Sequence, residues 1–407
     1  MLLVIGQTAP DSKKMIAEGR LNLEIAWNGK QITGATVSSA RALHASRVLE
    51  GKSAAQVIGM VPLLFSICGR SQTVAAAAAL EAASGHEVRV PVERLRELVV
   101  AAECVHEHLW RLLLDLPALL GEPQRRDSFI GMRRRFDDVR RRFASGTAWW
   151  EEAGDIRDLG SWRVLVGDIE DFLAAEVYGM EAGRFLRVAT TGELEEWLAA
   201  GQGPAARLLG GLWNLSLGRS DVPLFSLPEF AALAGEIAPA LEASDEFVAA
   251  PCSNGAPAET GALAREAKQP LVAAALAGRG NTVGVRILAR LVELARLAER
   301  MRELSHGGRV LPWLRSVRLR PKTGVAAVET ARGVLIHLAA LDGGKVSRYR
   351  IVAPTEWNFH PDGAFARGLA GAAARDENEA GRAAALLAHA LDPCVAYDVR
   401  VGSPAHA

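Results

Sequence analysis

Between Val74 and Ala83 the chain reads V-A-A-A-A-A-L-E-A-A, ten strong helix formers without a breaker, which commits this stretch to helix. Just upstream lie an apolar run, Val61 to Phe65, and the hexapeptide Ser66-Ile67-Cys68-Gly69-Arg70-Ser71. Cys68 is therefore expected at or near a helix N-terminus, where unpaired N–H groups and the helix dipole favour the thiolate. A thiolate there is a metal ligand or a nucleophile. The competing reading is a buried cysteine acting as a small hydrophobe.

The chain has 407 residues, room for one large domain or two to three ordinary ones, and 49% hydrophobic residues supply a sizeable core. Lys+Arg and Asp+Glu both number 47, so nothing global points to nucleic acid or an anionic membrane surface. The four cysteines (Cys68, Cys104, Cys252, Cys394) lie far apart with no C-x-x-C pair. That pattern excludes a disulfide scaffold or zinc module and points to a reducing compartment. The apolar start, Met1 to Gly6, lacks a basic n-region and is too short for a signal sequence. The longest apolar stretch, Ala54 to Ile67, is interrupted by Gln56, Gly59 and Pro62 and cannot span a bilayer. A soluble cytoplasmic protein is expected.

Along the chain, Leu21 to Trp27 alternates apolar and polar residues, turns at Asn28-Gly29, and continues at Ile32 to Val37, a hairpin pattern. Ala42, Ala45, Val48 and Leu49 predict a helix ending near Gly51. Glu93 to Leu120 reads as one long helix, with His106 and His108 as polar rim residues. The arginine-rich stretch Arg125 to Arg142 reads as a solvated helix with i,i+4 pairs, or alternatively as a docking face for an acidic partner. Trp149-Trp150 is assigned to packing, and Glu193 to Ala200 and Glu229 to Ile237 to helix. Ser244 to Pro257, with Cys252, is expected to be a loop, and Val285 to Leu304 a long amphipathic helix. Val328 to Leu341 and Val346 to Val352 flank Asp342-Gly343-Gly344 as a second hairpin. Pro354 to Phe359 is read as a loop with aromatic anchors, followed by a last helix from Glu377 to Ala390.

Several segments, in order, resemble the large subunit of nickel–iron hydrogenases. Ile16 to Leu21 (I-A-E-G-R-L) is similar to that family's R-I-E-G-H-L, and Ser46 to Lys52 to its helix ending in L-E-G-R. Glu329-Thr330-Ala331-Arg332-Gly333 resembles E-A-P-R-G, and Pro354-Thr355-Glu356-Trp357-Asn358-Phe359 resembles P-T-x-W-N-F. The family's R-x-C-G-x-C and D-P-C-x-x-C-x-x-H, which supply four thiolates to the metals, survive in part around Cys68 and as Asp392-Pro393-Cys394-Val395-Ala396-Tyr397. The resemblance covers both ends and is weak between about Asp115 and Lys322.

The resemblance implies an α+β, predominantly helical fold: a hydrogenase large-subunit-like helical core with small β hairpins near both termini. It implies one domain over residues 1–407, with a β-hairpin region at 1–40, a helical core at 41–305 and a β/helix region at 306–407. It also implies that Cys68 and Cys394 are the terminal ligands, with Ser71 and Tyr397 where the bridging thiolates belong. Hydroxyl oxygens are hard, largely protonated donors and poor substitutes for thiolates around iron or nickel. The histidine ending the second motif is Arg400. This pattern resembles the large-subunit-like accessory proteins of the HupK/HoxV type. The resemblance implies a non-catalytic scaffold for the Fe(CN)2(CO) unit of the hydrogenase, with no nickel expected. On that reading Cys68 and Cys394 hold the iron. Arg332, Pro354 and Thr355 line its cyanide and carbonyl ligands, and Glu18 lies nearby, in a local hydrogen bond or a proton-transfer role. The implied partners are the carrier and chaperone proteins of hydrogenase maturation and the large-subunit precursor. A diverged enzyme with a mononuclear metal site and a metal-free decoy that binds carriers are the alternatives.

Overall fold

A computed structural model describes residues 19–39, 45–142, 159–309 and 311–402 of the chain. The first hairpin pairs β1 (Arg20–Trp27) with β2 (Ile32–Ser39), and the Asn28 side chain accepts the Lys30 and Gln31 N–H groups at its turn. Three helices follow: α1 (Ala54–Leu64), α2 (Gly69–Ser84) and α3 (Val90–Trp110). A capping box between Ser53 and Gln56 starts α1, and Gly85, in the left-handed region at φ 73°, ends α2. Helix α3 runs into a π turn at Arg111–Asp115 and a short helix, Leu116–Leu120, so the expected single helix changes pitch. The basic helix α4 (Arg126–Arg142) and a set of shorter helices lead to α5 (Val283–Ser305), buried along most of its length.

The chain then forms an antiparallel sheet in the order β3 (Leu314–Arg320), β4 (Thr323–Thr330), β5 (Gly333–Asp342), β6 (Lys345–Val352). Helices α6 (Pro354–Asn358) and α7 (Glu377–Leu391) precede the last strand, β7 (Ala396–Gly402). Strand β7 lies parallel to β1, with Leu21 opposite Tyr397. The N-terminal hairpin is thus completed by the far end of the chain, as a three-stranded sheet in the order β2-β1-β7.

Helix α2 is the axis of this arrangement. Ala75 to Ala79 are buried as a block, and the helix lies across β4, every residue of which is buried. Small side chains allow this approach: a Cβ on Gly324 would run into the Ala79 carbonyl and the Ala83 amide. A single apolar cluster extends from Leu23 of β1 through α2, α3 and α5 to Val399 of β7.

Four local expectations change. Val328 to Leu341 is two strands with a two-residue turn, Ala331-Arg332, between the paired Thr330 and Gly333. Gly333 takes φ 125°, which a side chain rarely adopts, and this allows the reversal inside an apolar run. Pro354 to Phe359 is mostly helix, because Pro354 fits the first turn and the Glu356 carboxylate accepts the Ala353 N–H. Within Ser244 to Pro257, the Ser244 hydroxyl caps a helix at Asp245–Ala249, and Cys252–Ser253 pairs with Ala256–Pro257. The helix expected around Val48 is a 3-10 turn, Ala45–Leu49, while Ala42 and the Trp149-Trp150 pair lie outside the described residues.

Candidate functional site

Four chain segments converge on one cluster of largely buried side chains. Cys68 is the N-cap residue of α2, and Arg332 sits in the β4–β5 turn. Pro354 and Thr355 form the first turn of α6, and Cys394 lies between α7 and β7. Helix α3 passes alongside and contributes Glu103 and Glu107.

Arg332 is 2% exposed and uses all three nitrogens. Its Nη1 donates to Cys68 Sγ at 3.1 Å, its Nη2 to Glu107 Oε2 at 2.9 Å and its Nε to Asp392 Oδ1 at 3.2 Å. Asp392, held at φ 57° after α7, also accepts Arg111 Nε at 2.7 Å, and Arg290 Nη2 stands 3.7 Å from its other oxygen. One buried carboxylate therefore anchors three guanidinium groups two residues before Cys394. Cys394 is half-buried, and Thr355 is tied to it twice. The Thr355 hydroxyl donates to Cys394 Sγ and accepts the Cys394 N–H, each at 2.9 Å. Pro354 is buried beside it. Glu18 lies outside the described residues.

The electrostatics correct one expectation. Burial pushes the Cys68 thiol well above its ordinary range. The Arg332 charge pulls it back only in part, against Glu103, Cys394 and Glu107. Desolvation outweighs the helix N-terminus here, so burial favours the thiol over the thiolate. Glu107 goes the other way. Burial opposes its charge, but Arg332 and then His106 override burial and hold its pKa down to about 2. Desolvation also works against the Arg332 charge, yet the Asp392 and Glu107 carboxylates fix the guanidinium as a cation. Both thiols lie within electrostatic reach of this one permanent positive charge.

The two positions that stand where the bridging thiolates belong differ in their surroundings. Ser71 is fully buried, and its hydroxyl donates to Glu103 Oε2 at 2.6 Å. Tyr397 is 6% exposed, its ring packs against His389, and its hydroxyl has no hydrogen-bond partner among the described residues. Arg400 is exposed on β7. Among the described residues no group of three or more His, Cys, Asp and Glu side chains is arranged to hold a metal ion.

Sequence reasoning missed a second charged cluster beside the first. His108, expected at the rim, is fully buried, and its Nε2 lies 2.7 Å from Glu293 Oε2. Arg265 forks onto Glu293 and reaches Glu329 at 2.5 Å, so Glu329 belongs to this cluster and not to Arg332. Trp313 is covered by two guanidinium groups, Arg265 at 5.0 Å and Arg300 at 4.7 Å. The spacing Glu103, Glu107 and His108 on one helix was the available signal, but its partners lie up to 225 residues away. His106 packs among Trp110, Phe129 and Phe136. Helix α4 buries Phe129, Met132 and Phe136 and leaves Arg126, Arg133, Arg134 and Arg135 exposed, with Arg133 3.9 Å from Asp137. Cys252, to which no role was assigned, lies 3.8 Å from His360 Nε2.

Comparison with known proteins gives a consistent picture. The family model for nickel-dependent hydrogenase matches residues 243–400. The hydrogenase expression/formation protein HupV of Azotobacter chroococcum is 30% identical over 94% of this chain and 98% of its own. HoxV of Cupriavidus necator is 30% identical, covering 91% and 95%, and HupK of Bradyrhizobium diazoefficiens is 31% identical, covering 89% and 91%. Among solved structures, the Ni-Fe-Se hydrogenase from D. vulgaris Hildenborough superposes with a TM-score of 0.62. That match is 15% identical and covers 91% of this chain and 94% of the other. At that identity the likeness establishes the fold: α+β, predominantly helical, and hydrogenase large-subunit-like, as the motifs imply. No described helix is long and apolar enough to cross a membrane.

Proposed function

The chain belongs to the hydrogenase expression/formation proteins of the HupK/HoxV type, an accessory family, and from that premise we propose that it holds an iron–cyanide–carbonyl fragment as cargo between Cys68 and Cys394. The observation that carries the reading is Arg332, which touches Cys68 and lies within electrostatic reach of Cys394, while Thr355 grips the second thiol.

The charges agree. A ferrous ion with two cyanides and one carbonyl is neutral, and two thiolates bring the assembly to minus two. A guanidinium locked as a cation offsets part of that charge inside a buried pocket, where an uncompensated charge is costly. Soft sulfur suits low-spin iron. The remaining N–H groups of Arg332 are the donors at hand for cyanide nitrogens, which accept hydrogen bonds, and the Thr355 hydroxyl serves the same purpose by turning its one proton from Cys394 Sγ. Pro354 supplies apolar surface for carbon monoxide, which accepts little. The two remaining hydrogenase thiolates are absent, so a doubly bridged nickel–iron centre lacks its bridging ligands. Cargo on two sulfurs is also easier to pass on than cargo on four. The partners on this reading are the carrier and chaperone proteins that bring the fragment and the large-subunit precursor that receives it.

The test is metal analysis of protein co-produced with the maturation machinery and purified without oxygen. The expected result is iron without nickel in the wild type, lost in Cys68→Ala and in Cys394→Ala. Nickel together with hydrogen uptake would make the chain a diverged enzyme. An iron-free wild type, with both alanine variants still supporting hydrogenase maturation, would make it a metal-free decoy.

A further inference from the structure

Helix α2 starts in an unusual way. An N-cap side chain ordinarily accepts the N–H of the second or third helical residue. Cys68 holds the N-cap position, and its carbonyl accepts the Gln72 N–H at 2.9 Å, but its side chain caps nothing. The cap comes from the neighbouring helix. Glu103 of α3 accepts the Arg70 N–H on one oxygen and the Ser71 N–H on the other, each at 2.9 Å. The second oxygen also accepts the Ser71 hydroxyl at 2.6 Å. In a local capping box the third helical residue supplies the glutamate. Here that residue is Ser71, and the glutamate arrives 32 positions later in the chain.

We propose that Glu103 is the positioning residue of the pocket. By capping α2 from α3 it releases the Cys68 sulfur to face Arg332, and by engaging residue 71 it limits the α2 end to a single sulfur. The inference rests on the cargo reading above and assigns the device that keeps that pocket a two-sulfur site. A capping carboxylate satisfies two amides that the helix end would otherwise leave open. With that duty met from α3, the N-cap position tolerates a residue whose side chain is used elsewhere. A cysteine placed at position 71 would meet a carboxyl group already committed to the backbone of that residue.

Two measurements on the full-length protein decide the matter. The first is amide hydrogen exchange at Arg70 and Ser71. Glu103→Ala is expected to lower protection at these two amides by about tenfold or more, whereas Glu103→Gln, whose amide oxygen still accepts, retains most of it. Unchanged protection in Glu103→Ala would overturn the cap. The second uses cobalt(II) alone as a probe of the reduced apo protein, read by thiolate-to-cobalt absorption. Ser71→Cys is expected to match the wild type. The double variant Ser71→Cys/Glu103→Ala should gain about half as much intensity again, as three thiolates replace two. Equal gain in Ser71→Cys alone would show that Glu103 does not restrict position 71. Absence of the absorption in the wild type would instead refute the paired sulfurs, and with them the restriction at position 71. The exchange result decides the cap independently.

Discussion

Asp392 shows how much a single residue organises. Its carboxylate faces Arg111, Arg290 and Arg332, and it sits in the left-handed region two positions before Cys394. Asp392→Asn would leave three buried guanidinium groups without their shared counter-charge, and breaking a buried pair in this way costs about 3–5 kcal/mol. Urea unfolding is expected to show that loss, whereas a change within 0.5 kcal/mol, about that of a surface substitution, would mean the arginines find other partners. Glu107 gives the pH dependence at this scale. Its folded pKa of about 2 lies below the ordinary carboxylate value, so its contribution is fully present above the unfolded pKa and is lost as pH falls from there towards 2. The shift corresponds to something on the order of 3 kcal/mol. Glu107→Gln is therefore expected to flatten the fall in stability between about pH 4.5 and 2, measured by denaturant titration at each pH. A variant with the wild-type slope would contradict the assignment.

Among the elements, α2 was the most legible in the sequence. Its alanine run and the cysteine at its start are local signals, and both hold in the structure. The reason for the alanines was not legible, because it lies in β4, more than 240 residues away, where Gly324 meets the helix backbone. Gly324→Ala is expected to destabilise the protein by about 1–3 kcal/mol through overpacking, read as a lower thermal midpoint. An unchanged midpoint would mean that α2 can move off the sheet. The turn that carries Arg332 was hidden for a related reason. Ala331-Arg332 lies within the strand-like stretch from Val328 to Leu341 and carries no strong turn dipeptide, so the reversal shows only in the positive φ of Gly333. Helix α6 was misread because three aromatic and amide residues dominate a segment whose decisive feature is a proline in its first turn.

Over the whole molecule, the decisive contact joins the two ends of the chain. Strand β7 beside β1 draws the segment after α7 towards the start of the fold, and the pocket closes where α2, the Arg332 turn, α6 and α3 meet. Period-2 alternation marked β1 and β2, but nothing local in Ala396 to Gly402 specifies that its partner is a strand at the opposite terminus. The motif residues at Cys68, Arg332, Thr355 and Cys394 were legible as individual positions. Their shared environment, including Glu103 and Glu107 on α3, was not, since it is made by pairings that only the fold creates. The measurement that bears most directly on the cargo reading is an infrared spectrum of the protein co-produced with the maturation machinery. The account predicts cyanide and carbonyl stretching bands in the wild type that vanish in Cys68→Ala and in Cys394→Ala. A wild-type spectrum without these bands, from cells whose hydrogenase matures normally, would contradict it.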